Sequence, residues 1–266
     1  PKSEIHQFGA GIVDKNNRIV DWEEKPKEPR TNLASMGIYV FDTEYLLKAL
    51  SYDREEIDFG MHIIPRAIEE KQVYAYPFYG YWRDVGTIQS YWDANMDILR
   101  ADSGIAPEEW GIRPNTEADG RAMDRAPARF AQGCTVRSSM ISAGSLIEGT
   151  VLNSVISPGV VVRKGAVVRD SVIFEDSVIE AGAEIDLTIC DKKVHIGAGA
   201  VVGHGETKKI VNQEYPSHLY SGISLIGKEV VVPEKMRIGR NCIIRPGKKG
   251  GDERVFPSEL EHGGIF

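Results

Sequence analysis

Three short clusters in the first hundred residues carry side chains that can do chemistry. The first is Glu23-Glu24-Lys25-Pro26, two carboxylates and an ammonium at the end of an apolar run, stiffened by proline. A carboxylate there can hold sugar hydroxyls and the lysine a phosphate; a solvated strand end has the same composition. The second is Ser35-Met36-Gly37-Ile38-Tyr39-Val40-Phe41. A hydroxyl here stands beside a glycine set in a β-prone run, which permits close approach of a ligand or simply of another backbone. The third is Tyr81-Trp82-Arg83-Asp84-Val85-Gly86-Thr87. Asp84 ends an apolar run before a glycine turn, where α/β sheets commonly present a carboxylate to a ligand. Facing a phosphate, such a carboxylate works through a hard cation such as Mg2+. Pairing of Arg83 with Asp84, or a helix cap at Thr87, is the structural alternative.

The elements that must position these clusters are short. Apolar runs at 8–13 and 18–22 flank the turn-rich Asp14-Lys15-Asn16-Asn17, which predicts a β-hairpin. Pro26 and Pro29 break the chain after it. The run 36–41 reads as a strand, and Asp42 as the N-cap of a helix carrying Tyr45, Leu46, Leu47 and Leu50. A second helix is expected over 57–71 with Pro65 near its start, strands at 73–78 and 81–85, and a helix capped by Thr87. Residues 1–100 therefore read as an α/β domain. Residues 101–130, with Pro107, Pro114 and Pro127 and no sustained period, read as a surface linker.

From 131 to 247 an aliphatic residue recurs every six positions, without a miss through Val155, Val161, Val167, Ile173, Ile179 and Ile185. The same spacing runs through Ile141 and Ile147, Ile196 and Val202, and Ile226, Val232, Ile238 and Ile244. Small residues such as Ser139, Gly159, Ser171 and Ser177 stand two positions earlier. Period six fits neither a helix nor a simple strand, so the chain must turn a corner every six residues, as in a parallel β-helix. These fourteen positions, at three per coil, predict fewer than five coils. The charged stretch 203–222 breaks the spacing and is expected to project as a loop. The tail, 248–266, is polar and Gly-rich and is expected to be loosely held.

Composition excludes several classes. The net charge of −7 argues against nucleic acid or an anionic membrane as partner. Cys134, Cys190 and Cys242 lie far apart and read as packing thiols of a reducing compartment. With no eighteen-residue apolar run and no visible signal peptide, the expected location is cytoplasmic. The six histidines show no metal-ligand spacing, so a zinc site is not expected.

Taken in order, the clusters resemble the nucleotidyltransferases that make sugar nucleotides, and among them the glucose-1-phosphate adenylyltransferases of bacterial glycogen synthesis. The resemblance runs over nearly the whole chain: the hairpin with E-K-P, the segment LASMGIYVF, Asp58-Phe59-Gly60 with Ile64-Pro65, and the block YWRDVGTIQSYWDANMDIL. It implies a partial Rossmann-like α/β nucleotidyltransferase domain followed by an all-β left-handed parallel β-helix of hexapeptide repeats. It implies that Glu24 and Lys25 contact the sugar and phosphate of glucose 1-phosphate and that Ser35 contacts the sugar. Asp58, Phe59 and Trp82 would shape the same pocket, and Asp84 would be one of two aspartates holding Mg2+. The implied reaction is attack of the sugar phosphate on the α-phosphate of ATP, with release of pyrophosphate. The implied assembly is a homotetramer controlled by metabolites, and Arg237, Arg240 and Arg245 are candidates for an anionic effector site or a solvated basic corner.

One departure stands out. No G-x-G-x-x-R-like nucleotide loop occurs in residues 1–100. The chain is therefore expected to be the C-terminal portion of such an enzyme, holding the sugar side of the site and inactive alone. Two other readings remain. His204, ahead of the projecting loop, can act as the general base of a hexapeptide-repeat acyltransferase. Alternatively, the chain can be a non-catalytic regulatory subunit of the same family.

Overall fold

In the computed structural model, which describes residues 2–51, 58–109, 125–206, 209–247 and 255–266, the tetrapeptide at 14–17 closes a hairpin as its composition requires. The Asp14 carboxylate accepts the amide protons of Asn16 (2.8 Å) and Arg18 (3.0 Å). Asn17 takes the left-handed backbone (φ 60°) that asparagine tolerates better than most residues. Strand β1, Gly9–Val13, pairs antiparallel with β2, Ile19–Glu24. Single bridges extend the sheet on both sides, Ala34 onto Ala10 and Tyr74 onto Arg18. Helix α1, Thr43–Ser51, starts on Asp42, whose carboxylate accepts the Tyr45 amide at 2.9 Å. The second expected helix is compound: a wide π-type turn, Phe59–Ile63, leads into α2, Ile64–Glu70, with Pro65 in its first turn.

The runs at 36–41, 73–78 and 81–85 were expected as strands, and the structure corrects this. Apart from the bridge at Tyr74 they form no ladder among the described residues, and Val40 and Tyr76 are 98% and 90% exposed. β-propensity measures fit to a half-buried pleated surface, and it yields a strand only where a neighbouring strand accepts the ladder bonds.

The contacts divide the chain into two compact units, Pro1–Trp82 and Arg83–Phe266. Helix α3, Ile88–Asp97, opens the second unit with a capping box between Thr87 and Ser90. Its Ile88 and Trp92 pack on buried Leu187, Leu219 and Ile223, and the Trp92 indole donates to the Asp170 carbonyl at 2.8 Å. This helix, read from the sequence with the first hundred residues, thus lies on the flank of the repeat.

The repeat is a parallel β-solenoid of about seven turns, with faces of seven, six and six strands among the described residues. The six-residue spacing is not strict. Val151, Val168, Ile185 and Val202 are successive partners, seventeen residues apart. Two corners of each such coil take six residues and the third takes five. The inward residues are therefore Ile156, Val162 and Val168, all fully buried, while Val155, Val161 and Val167 are only half-buried. Five further rungs, registered through Phe130, Val136, Val151, Cys190 and Leu260, are not among the fourteen positions counted from the sequence, which is why those undercount the coils.

The short corner explains its own residues. Asn153, Asp170 and Leu187 stack there with left-handed backbone, φ 43–47°. Beside them Ser154, Ser171 and Thr188 form a buried ladder. The Ser154 and Ser171 hydroxyls accept the amides of Ser171 and Thr188 (both 3.1 Å), and each hydroxyl donates to a carbonyl two residues back. The small residue at this corner is thus also a hydrogen-bonding one. Ser171→Ala leaves the Thr188 amide buried without its partner, and the expected cost is about 1–3 kcal/mol. Denaturant unfolding measures it; a loss below about 0.5 kcal/mol would mean the ladder is dispensable.

The expectation of a loose tail is also corrected where the tail is described, 248–254 lying outside the described residues. Residues 255–266 are not loose: Glu259–Leu260 adds the last rung to the seven-stranded face, Ile265 bridges Ile243, and Phe266 packs on Phe256 against the core. The loop after Val202 is pinned by Asn212, which is fully buried and donates to the carbonyls of Asn241 (2.9 Å) and Gly263 (3.2 Å). Most of the expected linker, 110–124, lies outside the described residues. The cysteines are free, as expected; burial pushes the Cys190 thiol up, and that of Cys242 to about 11. No helix of the described residues is long and apolar enough to cross a membrane.

Candidate functional site

Strand alternation assigns different tasks to the two glutamates at the end of β2. Asp21 and Glu23 share one face, where the Arg30 guanidinium binds both and holds both carboxyls below the usual range. Trp22 and Glu24 share the other. Opposite them in register stand Gly11 and Gly9, so β1 offers a face without side chains over which the indole and the carboxylate lie. The Glu24 carboxylate comes to rest between Gly9 and Gly60. Of the two adjacent carboxylates, only Glu24 is without the arginine.

The neighbours of Glu24 connect the other expected residues of the first unit. Gly60 follows Phe59, whose ring stacks on Tyr39 (centroids 5.9 Å apart, planes 5° apart) and tilts against Phe41. The Tyr39 hydroxyl lies 2.9 Å from Ser35 Oγ, and Ser35 Oγ accepts the Gly37 amide at 3.1 Å. The Ser35 amide donates to the Gly9 carbonyl at 2.7 Å, which ties the second cluster to the first. Asp58 caps the turn that carries Phe59 and Gly60, accepting the Met61 amide at 2.8 Å. Lys25 is exposed, with left-handed backbone (φ 45°), and its amide donates to the Phe8 carbonyl. The Phe8 ring in turn meets Trp82 edge-on at 5.5 Å. Glu24, Lys25, Ser35, Asp58, Phe59 and Trp82 are thus joined through Phe8, Gly9, Tyr39 and Gly60. The sequence reading assigned no role to these four connectors. The signal available for Gly9 was the G-x-G alternation opposite a strand ending in Trp-x-Glu.

Asp84 belongs to the second unit. Its carboxylate accepts the Gly86 amide at 3.3 Å, and Arg83 bridges Asp93 (3.3 Å) and Asp97 (2.9 Å) on α3. No group of three or more His, Cys, Asp or Glu able to hold a metal by itself occurs among the described residues. A single carboxylate still suits Mg2+, which keeps most of its waters and binds through one or two carboxylates together with substrate phosphates.

Residues 1–101 match the family model described as nucleotidyl transferase, and residues 126–226 match that of the GlmU-like C-terminal hexapeptide. A glucose-1-phosphate adenylyltransferase of Thermomicrobium roseum is 45% identical over 262 residues, 97% of this chain and 59% of its own length. Those of Thermosipho melanesiensis and Thermotoga maritima are 39% and 38% identical, over 99% and 95% of this chain and 62% and 60% of their own lengths. The chain is a homologue of the glucose-1-phosphate adenylyltransferases. It spans about three fifths of the length of these relatives.

Two features read from the solenoid look different beside this homology. His204, the candidate acyltransferase base, has a side chain only 13% exposed. It lies under Glu259 of the last rung and beside His262, and burial holds its imidazole below the usual range. A base covered by the end of its own chain is poorly placed for a hydroxyl or amine acceptor. Each of the three arginines named for an effector site faces a carboxylate: Arg237 meets Glu259, Arg240 meets Asp186 and Arg245 meets Glu214.

Proposed function

We propose that this chain supplies the sugar-phosphate side of an adenylyl-transfer site, in a protein that converts ATP and glucose 1-phosphate to ADP-glucose and pyrophosphate. The observation that carries the reading is the connected cluster around Glu24, in which residues from four separate segments converge in a chain homologous to proteins of that name. In the reaction a phosphate oxygen of glucose 1-phosphate attacks the α-phosphorus of ATP. The new P–O bond forms as the bond to the pyrophosphate oxygen breaks. Lys25 offsets the charge of the sugar phosphate, Glu24 accepts hydrogen bonds from sugar hydroxyls, and Ser35, Asp58, Phe59 and Trp82 orient the ring. Such positioning, together with charge neutralisation, is the main source of rate in phosphoryl and nucleotidyl transfer. Asp84 is assigned to Mg2+, which when bound neutralises charge on the transferring phosphates. The solenoid, with its long sheet faces and two stacking ends, suits assembly into a homotetramer. We place the protein in the cytoplasm, where both substrates occur.

The test is pyrophosphate release by the intact protein. Glu24→Ala is expected to raise the KM for glucose 1-phosphate about 10- to 100-fold, the loss of a charge-assisted hydrogen bond, and to leave the KM for ATP unchanged. No turnover of ATP with glucose 1-phosphate by the wild-type protein, or an unaltered KM in the variant, would overturn the assignment. A purely regulatory subunit would give the first of these outcomes.

A further inference from the structure

Three glycines line the face on which the Glu24 side chain lies, and they differ in what a side chain would meet. A methyl carbon on Gly11 would stand 3.7 Å or more from its neighbours, in ordinary contact. On Gly9 it would overlap the Trp22 ring and come within 2.8 Å of Glu24 Oε2. On Gly60 it would overlap Glu24 Oε2 outright and stand 2.7 Å from Cδ and 3.2 Å from Oε1. The three nearest atoms at Gly60 all belong to one carboxylate, the far end of a flexible side chain. Gly60 does not have the left-handed backbone that would itself call for glycine. It sits in a helical turn, where alanine is the better helix former. Neither backbone conformation nor helix stability accounts for a glycine here; the Glu24 carboxylate occupies the space.

We propose that Gly60 is a positioning residue for Glu24: the missing side chain is the seat of the carboxylate, and it sets where Glu24 meets the sugar. The inference rests on the assignment of Glu24 to the sugar-phosphate site. The two segments are thereby coupled. The turn that Asp58 caps, and that presents Phe59 to Tyr39, also fixes the reach of the glutamate on β2.

The experiment uses the intact protein. Gly60→Ala is expected to raise the KM for glucose 1-phosphate about 10- to 100-fold, the scale of an ångström-level misplacement. The KM for ATP and the melting midpoint should hold or the midpoint rise, and Gly11→Ala should match wild type. The effect must pass through Glu24, so Gly60→Ala in a Glu24→Ala background should add nothing. A glutamate shortened by Glu24→Asp should recover part of the loss, because it leaves room for the methyl. A wild-type KM in Gly60→Ala, a lowered melting midpoint, or losses that multiply in the double variant would each overturn the proposal. If Glu24→Ala itself leaves the KM for glucose 1-phosphate unchanged, the site assignment has failed rather than the positioning role alone.

Discussion

Asp84→Asn in the intact protein is expected to lower the rate of pyrophosphate release by about 100- to 1,000-fold while the melting midpoint stays where it is. Asparagine keeps the shape of the side chain and an oxygen able to accept the Gly86 amide, which is the hydrogen bond that orients Asp84. The ion pairs of α3 are made by Arg83 with Asp93 and Asp97, so the fold beside the site does not depend on the charge removed. The expected loss is the scale found when a preorganised group facing developing charge is deleted. A neutral amide is also a weaker ligand for a hard cation, so more Mg2+ should be needed for half-maximal rate. The two readouts separate causes. A rate within tenfold of wild type at unchanged Mg2+ demand removes Asp84 from the site. A large loss accompanied by a fallen melting midpoint means that the carboxylate holds the fold instead.

The sequence was most legible where local chemistry decides the outcome. Asp14-Lys15-Asn16-Asn17 closes a hairpin because Asp14 satisfies two amides of its own turn, and Asp42 and Thr87 begin helices because their side chains accept amides three residues on. It was least legible where a partner decides. The run through Val40 has every mark of a strand and no ladder among the described residues. The candidate site divides in the same way. Glu24, Ser35 and Phe59 announce themselves by type and motif, and the structure links them. Gly60 does not, because what it contributes is the absence of a side chain, which becomes visible only once the carboxylate that fills the space is located. In the solenoid the period was legible, and so was its phase at most positions, Ile147, Ile173, Ile179, Ile185 and Ile196 among them being fully buried; the phase failed at Val155, Val161 and Val167. A five-residue corner displaces the inward position by one, and paired aliphatic residues at neighbouring positions, Val155-Ile156, Val161-Val162 and Val167-Val168, conceal the slip from any reading by hydrophobicity.

That slip carries the second large expected effect. Val155 fits the six-residue spacing, whereas the structure turns Ile156 inward, fully buried between Ile141 and Ile173 on a six-stranded face. Ile156→Ala is expected to cost about 2–5 kcal/mol, the sum of lost transfer energy and a cavity that its surroundings cannot fill. Collapse is restricted here because the coils on both sides are held at fixed spacing by ladder bonds, the Ser157 amide on the Ile173 carbonyl on one side and the Ser142 amide on the Ile156 carbonyl on the other, both at 2.9 Å. Val155→Ala, one residue away and half-buried, should cost less than about 1 kcal/mol. Because a solenoid is stabilised by contacts between neighbouring coils, the loss should appear first as faster amide exchange in the coils carrying Ile141 and Ile173. Equal costs at 155 and 156, or the larger cost at 155, would restore the strict six-residue spacing and shift every inward position of that coil back by one. A large cost at 156 alone ties the stability of this half of the chain to the five-residue corner, and through it to the ladder of Ser154, Ser171 and Thr188 that makes so tight a corner possible.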